Sequence, residues 1–396
     1  MHEPVISTQG DPAGSREVLR AAAAESPTAR EGDTGVTWVL QFDEVDRVAH
    51  DPRSVGVGLT FFDLMGIESG SLRRWYSSLM FTNEGDTHGR LRRLVSRAFT
   101  PRSTERLRAA TTDMVTERFA QLTADGAGDL TDIFGLVPMR VMCRLLGVPD
   151  ADVTIFGDWA DRLSPTFGFM DEAQIAAASD AVDRLLGYVG TLVDTRRDEP
   201  ADDLITALLA AEDAGDRLTH DELVAMVANL LVGGHDTTAS QLGCTFLTLL
   251  RHPDALEAIR RRPGLVSAAV TETMRYEPSI SAIPRTAAEP MIVGGAERPV
   301  GTMMLLSVMT ANRDPGVWAE PDAFVVDRFE STAAPKLLSF GTGAHYCLGA
   351  SLARMTLEEA VLGLAANPLT PTTDLDEVDW RVVLGRSPVT LPVAVA

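Results

Sequence analysis

The decapeptide Phe340-Gly-Thr-Gly-Ala-His-Tyr-Cys-Leu-Gly349 constrains this chain more than any other segment. Gly341, Gly343 and Gly349 surround one cysteine, and a helical apolar pattern begins directly afterwards, over 350–365. Glycine lets a backbone turn through left-handed dihedrals and approach a flat partner closely. A cysteine at the entry to a helix meets unpaired amides and the positive end of the helix dipole, both of which favour the thiolate. The fold must therefore deliver Cys347 on a tight loop at a helix N-terminus. From these residues alone three uses stay open: a buried structural thiol in a glycine turn, a Cys–His hydrolase with His345 as its base, or a thiolate ligand to a metal. The hydrolase fits least well, because nucleophile and base two residues apart in a tight loop have poor geometry for proton transfer.

Most of the remaining chain is written in helical period, with Ala and Leu recurring and only 6% of residues aromatic, which points to a mostly α protein. Helices are expected over 86–99, 103–124, 131–147, 152–165, 172–197, 202–213, 219–250, 253–261 and 264–276. Before them come a flexible leader at 1–34, a short strand at Thr37–Gln41, a helix at Phe42–His50 and a long, apolar, glycine-containing irregular stretch at 51–80, a kind of loop that is more often functional than filler. Residues 282–310 read as strands, 311–340 as a Pro- and Asp-rich meander, and the tail after 378 as further strand. With no internal repeat, the simplest organisation is one α-rich domain with small β elements over 35–396.

A formal net charge of −21 excludes nucleic acid and anionic membrane as partners, since both need a basic surface. Met1–Arg30 lacks the apolar core of a secretory signal, no stretch is long enough to span a bilayer, and a cytoplasmic location is expected. Cys143, Cys244 and Cys347 are too few and too scattered for a disulfide framework. Cys143 sits on an apolar helix face and reads as core.

The decapeptide resembles the cysteine loop of the cytochrome P-450 superfamily, Phe-Gly-x-Gly-x-His-x-Cys-Leu-Gly, and this similarity favours the metal-ligand use of Cys347 over the other two. The resemblance implies a mainly α, single-domain P-450 fold with small β-sheets, and haem b (iron protoporphyrin IX) with Cys347 as axial ligand and Phe340 and Gly349 beside it. It extends to three further motifs. Glu272-Thr-Met-Arg275 resembles the family's Glu-x-x-Arg pair, which with Arg328 of the meander is implied to hold the cysteine loop against the core. Gly233-Gly-His-Asp-Thr-Thr238 resembles the oxygen-activation motif. Two glycines inside a helix cost about 1 kcal/mol each relative to alanine, and the resemblance supplies the reason: Gly233 and Gly234 open space above the haem, while Asp236 and Thr237 relay protons. His235 has no implied role beyond a polar helix position, and Thr238 and Cys244 read as helix packing. Finally, His88 and Arg92, with Arg285 and His345, match positions that face the haem propionates, where charge-assisted donors are needed.

By the same resemblance the activity is that of a monooxygenase, placing one oxygen atom of O2 into a hydrophobic small molecule and the other into water. The chain carries neither a dinucleotide-binding glycine fingerprint after a strand nor a four-cysteine iron–sulfur spacing, so neither flavin nor iron–sulfur cluster is expected. Electrons are expected from a ferredoxin and its NAD(P)H-dependent reductase, with the chain acting as a monomer. Arg90, Arg92, Arg93 and Arg97 form a basic run in an acidic chain; a solvated helix face is the ordinary reading, and the resemblance implies a docking patch for the ferredoxin. Phe61, Phe62, Met65, Met80, Phe167, Phe169, Leu230, Ile280 and Ile283 are the expected pocket residues, pointing to a bulky terpenoid, polyketide, steroid or fatty acid. Two alternatives remain at this point: a peroxide-driven hydroxylase of the same fold, which would not need Asp236 and Thr237, and a non-catalytic module that recruits a carrier protein.

Overall fold

A computed structural model describes residues 3–8, 14–211, 215–382 and 384–395. Its centre is the helix His220–Arg251, 32 residues long and so about 48 Å from end to end. The sequence starts it firmly. The Thr219 hydroxyl accepts from Glu222 N at 3.2 Å, the Glu222 carboxylate accepts from Thr219 N at 2.9 Å, and Asp221 and Glu222 lie at the positive end of the helix dipole. The helix is apolar on nearly every face because other helices surround it: Val137–Leu146, Val153–Leu163, Glu172–Asp198 and Ala350–Ala366 all pack against it.

The expected helices are present, with three instructive differences. The patterns at 103–124 and 131–147 each break in two, into Pro101–Glu105 with Arg108–Asp125 and Leu130–Gly135 with Val137–Leu146. The irregular stretch at 51–80 contains two short helices, Thr60–Leu64 and Ser71–Ser78. The helix expected at 202–213 runs over Leu204–Ala210, and residues 212 and 213 lie outside the described residues.

The strands form mainly one six-stranded sheet in the order Val5–Ile6, Thr28–Glu31, Thr37–Val39, Met303–Ser307, Ala282–Ala287, Ser54–Val55. Thr37–Val39 runs parallel to Met303–Ser307, and the latter pairs antiparallel with Ala282–Ala287, setting Ile283 opposite Leu306 and Arg285 opposite Met304. The tail forms the antiparallel hairpin Trp380–Val382 with Arg386–Pro388.

The segment expected as a flexible leader is folded where it is described. Val5–Ile6 and Thr28–Glu31 join the sheet, and Gly14–Glu25 is a helix whose Leu19 and Ala22 are buried with Trp38, Leu40 and Met309. Arg16 on this helix makes an ion pair with the buried Glu277. Its partner lies 261 residues away in the chain, which is why local composition could not reveal the anchor.

Glu272 and Arg275 are fully buried, joined at 2.7 and 2.8 Å in a two-pronged ion pair. The remaining Arg275 donors go to the carbonyls of Asn312, Pro321 and Ala323, and Arg328 Nε reaches both Glu272 oxygens at 3.1 Å. The network continues through Asn312, which accepts from Leu338 N and donates to Ser339 Oγ, while Ser339 donates to the Met274 carbonyl. It therefore ends on the residue before Phe340, where the cysteine loop begins.

Candidate active site

The cysteine loop is held by its own backbone. Gly341 N–H donates to Leu338 O at 2.8 Å and Cys347 N–H to Phe340 O at 2.9 Å, which closes the loop on itself. Gly341 and Gly343 stand at φ +71° and +72°, where a side chain is strained, and a Cβ at Gly343 would lie 2.9 Å from the Ala49 carbonyl. Thr342 ties the loop outward: its hydroxyl donates to Asp46 at 2.9 Å and meets Lys336. The helix Ala350–Ala366 starts immediately beyond Gly349.

Cys347 forms part of the wall of a cavity of about 540 Å³ between this loop, the central helix and the strand Ala282–Ala287. The residue counts as exposed, yet protein surrounds the thiol on most sides, because its accessible surface is the cavity wall. Burial pushes the thiol above its ordinary pKa, against the opposing pull of the Gly349 amide and the Arg92 charge. The free thiol is thus held protonated, with two groups already placed to stabilise it as an anion once a metal displaces the proton.

A polar ring occupies one side of the cavity. His88 is 4% exposed, and its Nε2 has no hydrogen-bond partner. Burial, helped by His345 and Arg92, pushes it down to about 4, so the ring is neutral. The His345 ring stacks on it, and His345 Nε2 lies 2.9 Å from the Glu84 carboxylate. Burial pushes Glu84 up, but hydrogen bonds from His345 and the Gly56 amide prevail and hold it below the usual carboxylate range. Arg92 donates to the Tyr346 carbonyl at 2.6 Å. Arg285 is buried, and its one hydrogen bond among the described residues goes to the Pro284 carbonyl at 3.1 Å. A buried guanidinium with unused donors and a buried imidazole nitrogen without a partner are costly unless an anionic ligand takes them up. With a thiol, a glycine-lined approach and Phe340 beside it under the Arg354 guanidinium, the residues present fit a flat, carboxylate-bearing, metal-holding group such as haem. Clusters of three or more His, Cys, Asp or Glu able to hold a bare metal are absent among the described residues.

The central helix supplies the opposite wall through Leu230, Gly233, Gly234, Thr237 and Thr238. The two glycines differ. A Cβ at Gly233 would meet nothing closer than Asn229 at 4.0 Å, whereas one at Gly234 would fall 2.9 Å from Met142. Gly233 therefore leaves space, while Gly234 is a packing glycine for the helix Val137–Leu146, contrary to the expectation that both open the cavity. Thr237 donates to the Gly233 carbonyl at 2.9 Å. Asp236 is 2% exposed and absent from the cavity wall; it accepts from the Gly385 amide at 3.0 Å and lies 3.4 Å from Arg381. His235, expected as a plain polar position, is buried beside Asp161 at 3.3 Å. Thr238 lines the cavity rather than only packing.

Of the expected pocket residues, Met80, Phe167, Leu230, Ile280 and Ile283 line the cavity, and Phe61, Phe62, Met65 and Phe169 do not. Phe62 is fully buried in the core against Tyr76. Phe61 meets Phe169 edge-on at 5.2 Å, and Met65 Sδ accepts from Met170 N, so these residues clasp the helix Thr60–Leu64 to the 168–170 turn outside the cavity. Phe169 remains 66% exposed. Sequence reading could not separate them from Phe167, because apolar character alone does not say which side of a loop faces inward. Leu384, at the turn of the tail hairpin, lines the cavity without any signal in the sequence.

The basic run on Gly85–Ala98 is not one patch. Arg90 is clamped by Asp216 and Glu222, and Arg92 lines the cavity, while Arg93 and Arg97 are exposed. Cys143 is core as expected, with burial pushing its thiol up to about 12. Among the described residues no helix is long and apolar enough to cross a membrane.

Comparison with known proteins agrees with this geometry. The family described as Cytochrome P-450 matches residues 162–262 and 264–363. The chain is 36% identical over 323 residues to Vitamin D(3) 25-hydroxylase of Pseudonocardia autotrophica, covering 79% of this chain and 78% of that one. It is 34% identical over 341 residues to 6-deoxyerythronolide B hydroxylase of Saccharopolyspora erythraea, covering 85% and 82%. The crystal structure of CalO2 superposes with a TM-score of 0.90 at 30% identity, covering 98% of this chain and 99% of that one.

Proposed function

The chain belongs to the cytochrome P-450 family and is a haem-dependent monooxygenase, and from that premise we propose roles for its residues. The bound haem supplies the activation of O2, one atom of which enters a hydrophobic substrate while the other leaves as water. Cys347 would hold the haem iron through its sulfur, with the Gly349 amide and Arg92 placed to stabilise the thiolate. Arg92, Arg285 and His88 would receive the carboxylates of haem b, which would take up His88 Nε2, otherwise without a partner, and the Arg285 donors not used on the Pro284 carbonyl. Gly233 leaves room for dioxygen beside Thr237. Thr237 Oγ1 hands protons into the cavity, and Asp236, beside it on the helix, holds them. Glu272, Arg275 and Arg328 keep the loop fixed and touch nothing that reacts.

The observation carrying this reading is one thiol on the wall of a largely apolar cavity that also bears the buried Arg285 guanidinium, with one hydrogen bond among the described residues, and the unpartnered Nε2 of His88. The test is the CO-bound ferrous spectrum: wild type shows the thiolate-ligated band and Cys347→His loses it. An unchanged spectrum overturns the ligand assignment.

The apolar wall, with Met80, Phe167, Leu230, Ile280, Ile283 and Leu384, suits a bulky, rigid, weakly polar substrate of the macrolide or steroid kind. The relatives named for vitamin D(3) and 6-deoxyerythronolide B support the same class. C–H hydroxylation is the expected oxidation. Electrons come from a ferredoxin and its NAD(P)H-dependent reductase, docking at Arg93 and Arg97. Neither flavin nor iron–sulfur cluster takes part within this chain, which works as a cytoplasmic monomer. The described part of residues 1–34 belongs to the same folded unit as the chain from 35 onward, joined to it by the sheet and by the Arg16–Glu277 pair.

A further inference from the structure

Asn229, Gly233 and Thr237 form one stripe of the central helix on the cavity wall, each just over one turn beyond the last. Most polar side chains around that stripe already have partners. Thr237 donates to the Gly233 carbonyl, Ser279 Oγ to the Thr237 carbonyl and Thr356 to the Leu352 carbonyl, while Gln241 donates to the Glu277 carbonyl and accepts from Ser279 N. The Asn229 side chain makes no hydrogen bond among the described residues, and its Oδ1 lies 4.0 Å from where a Cβ of Gly233 would stand. The Tyr76 and Thr238 hydroxyls on the same wall also lack partners there. A hydroxyl turns to suit a donor or an acceptor, whereas a primary amide presents a carbonyl and an NH2 group side by side. Of the three, Asn229 therefore restricts most what can fill the cavity.

Charge narrows the choice further. The cations on the wall, Arg92 and Arg285, stand with His88 and His345 in the ring that fits the carboxylates of haem, and the wall contains no Lys, Asp or Glu among the described residues. Arg90 is closed off by Asp216 and Glu222. A substrate carboxylate brought to Asn229 would give up water for a neutral amide, which is costly, while a ketone, lactone or hydroxyl oxygen loses less and gains the hydrogen bond. We infer that Asn229 is the specificity-determining residue of this cavity, that it hydrogen-bonds a neutral oxygen of the substrate, and that it selects oxygenated steroids or macrolactones over fatty acids. The inference rests on the monooxygenase reading, with the reacting carbon beside Gly233 and Thr237. Those residues follow Asn229 by four and eight positions, so the anchored oxygen and the oxidised carbon lie about 6–12 Å apart along the helix axis. A rigid polycyclic or macrocyclic skeleton holds that span fixed.

The haem-loaded enzyme is titrated with progesterone, with its oxygen-free parent pregnane and with palmitate, following the Soret shift, in wild type, Asn229→Leu, Tyr76→Phe and Thr238→Val. Leucine is close to asparagine in size and the better helix former, so the fold is not at stake in Asn229→Leu. Wild type is expected to bind progesterone about three to ten times more tightly than pregnane, and palmitate more weakly than progesterone. Asn229→Leu should erase the preference by weakening progesterone alone, leave the CO-bound ferrous spectrum unchanged and spread the hydroxylated products over more positions. If Asn229→Leu keeps the wild-type preference, or if it is lost only in Tyr76→Phe or Thr238→Val, the inference is overturned while the monooxygenase reading stands. The same holds if wild type fails to prefer progesterone over pregnane or binds palmitate as tightly. A wild-type protein that takes up no haem overturns both.

Discussion

The imidazoles of His88 and His345 lie against one another, ring centroids 4.1 Å apart and planes 34° from parallel. Two protonated imidazoles could not share that space. His345 has the Glu84 carboxylate at 2.9 Å, and His88 is the ring that burial keeps neutral. Burial, His345 and Arg92 bring His88 from 6.5 to about 4. Its folded pKa is below its unfolded one, so between those values the unfolded chain binds more protons than the folded one. The stability this pair supplies is complete above pH 6.5 and is lost as the pH falls towards 4, by up to about 1.4 kcal/mol per pH unit. Urea unfolding of the haem-free protein at stepped pH should show that slope, and His88→Gln should flatten it. A wild-type stability independent of pH over this window contradicts the neutral assignment.

Gly233 and Gly234 are neighbours with opposite surroundings, so their alanine variants should diverge. Gly234→Ala forces a Cβ to 2.9 Å from Met142. Overpacking costs about 1–3 kcal/mol, offset by about 1 kcal/mol of helix propensity, and the melting temperature should fall. Gly233→Ala meets no such contact, so it should hold or raise the melting temperature while narrowing the space beside Thr237 and weakening Soret shifts by bulky substrates. Equal melting temperatures for the two variants would remove the distinction.

The clasp between Phe61 and Phe169 predicts a similar contrast. Phe167 lines the cavity, whereas Phe169 lies outside it and is 66% exposed. Phe167→Ala removes aromatic burial of about 1.5–3 kcal/mol and should weaken binding of an apolar substrate about tenfold or more. Phe169→Ala should change the equilibrium constant by no more than about twofold, the range of an ordinary surface substitution, and act instead on the rate of substrate entry, measured by stopped-flow absorbance. A tenfold equilibrium loss in Phe169→Ala would return that residue to the pocket.

What could be read beforehand divides along physical lines. The cysteine loop, the Glu-x-x-Arg pair and the central helix were legible because the chemistry of each is local: glycines at fixed offsets, an ion pair at i and i+3, an unbroken helical pattern. The boundary at 34 was not, because the Arg16–Glu277 pair joins residues 261 apart. Nor was the clamp on Arg90, whose partners Asp216 and Glu222 lie beyond 120 residues away. The inward faces of 56–81 and 164–170 follow from how two loops meet, and apolar side chains alone do not record that. The hairpin with Arg381, Leu384 and Gly385 has no motif at all; its importance arises only from where the strand pair lands on the central helix.

Glu272 shows how far a buried charge can govern a distant loop. Its oxygens accept from Arg275, Arg328 and the Val325 amide, and every one of these donors is buried or nearly so. Replacing the pair with apolar residues of matched shape could be tolerated, but removing one charge leaves the other uncompensated, at about 3–5 kcal/mol. Glu272→Gln should therefore destabilise strongly and Arg275→Leu comparably. Because the network runs through Asn312 to Ser339, the residue before Phe340, the loss should reach the thiol before the whole fold gives way. In mild urea the thiolate-ligated CO band is expected to disappear at a concentration where far-ultraviolet ellipticity is still native. Thr342→Val, which cuts the separate tether to Asp46, should loosen the loop without that drop in global stability. If spectrum and ellipticity are lost together in Glu272→Gln, the pair supports the fold as a whole and has no particular hold on the cysteine loop.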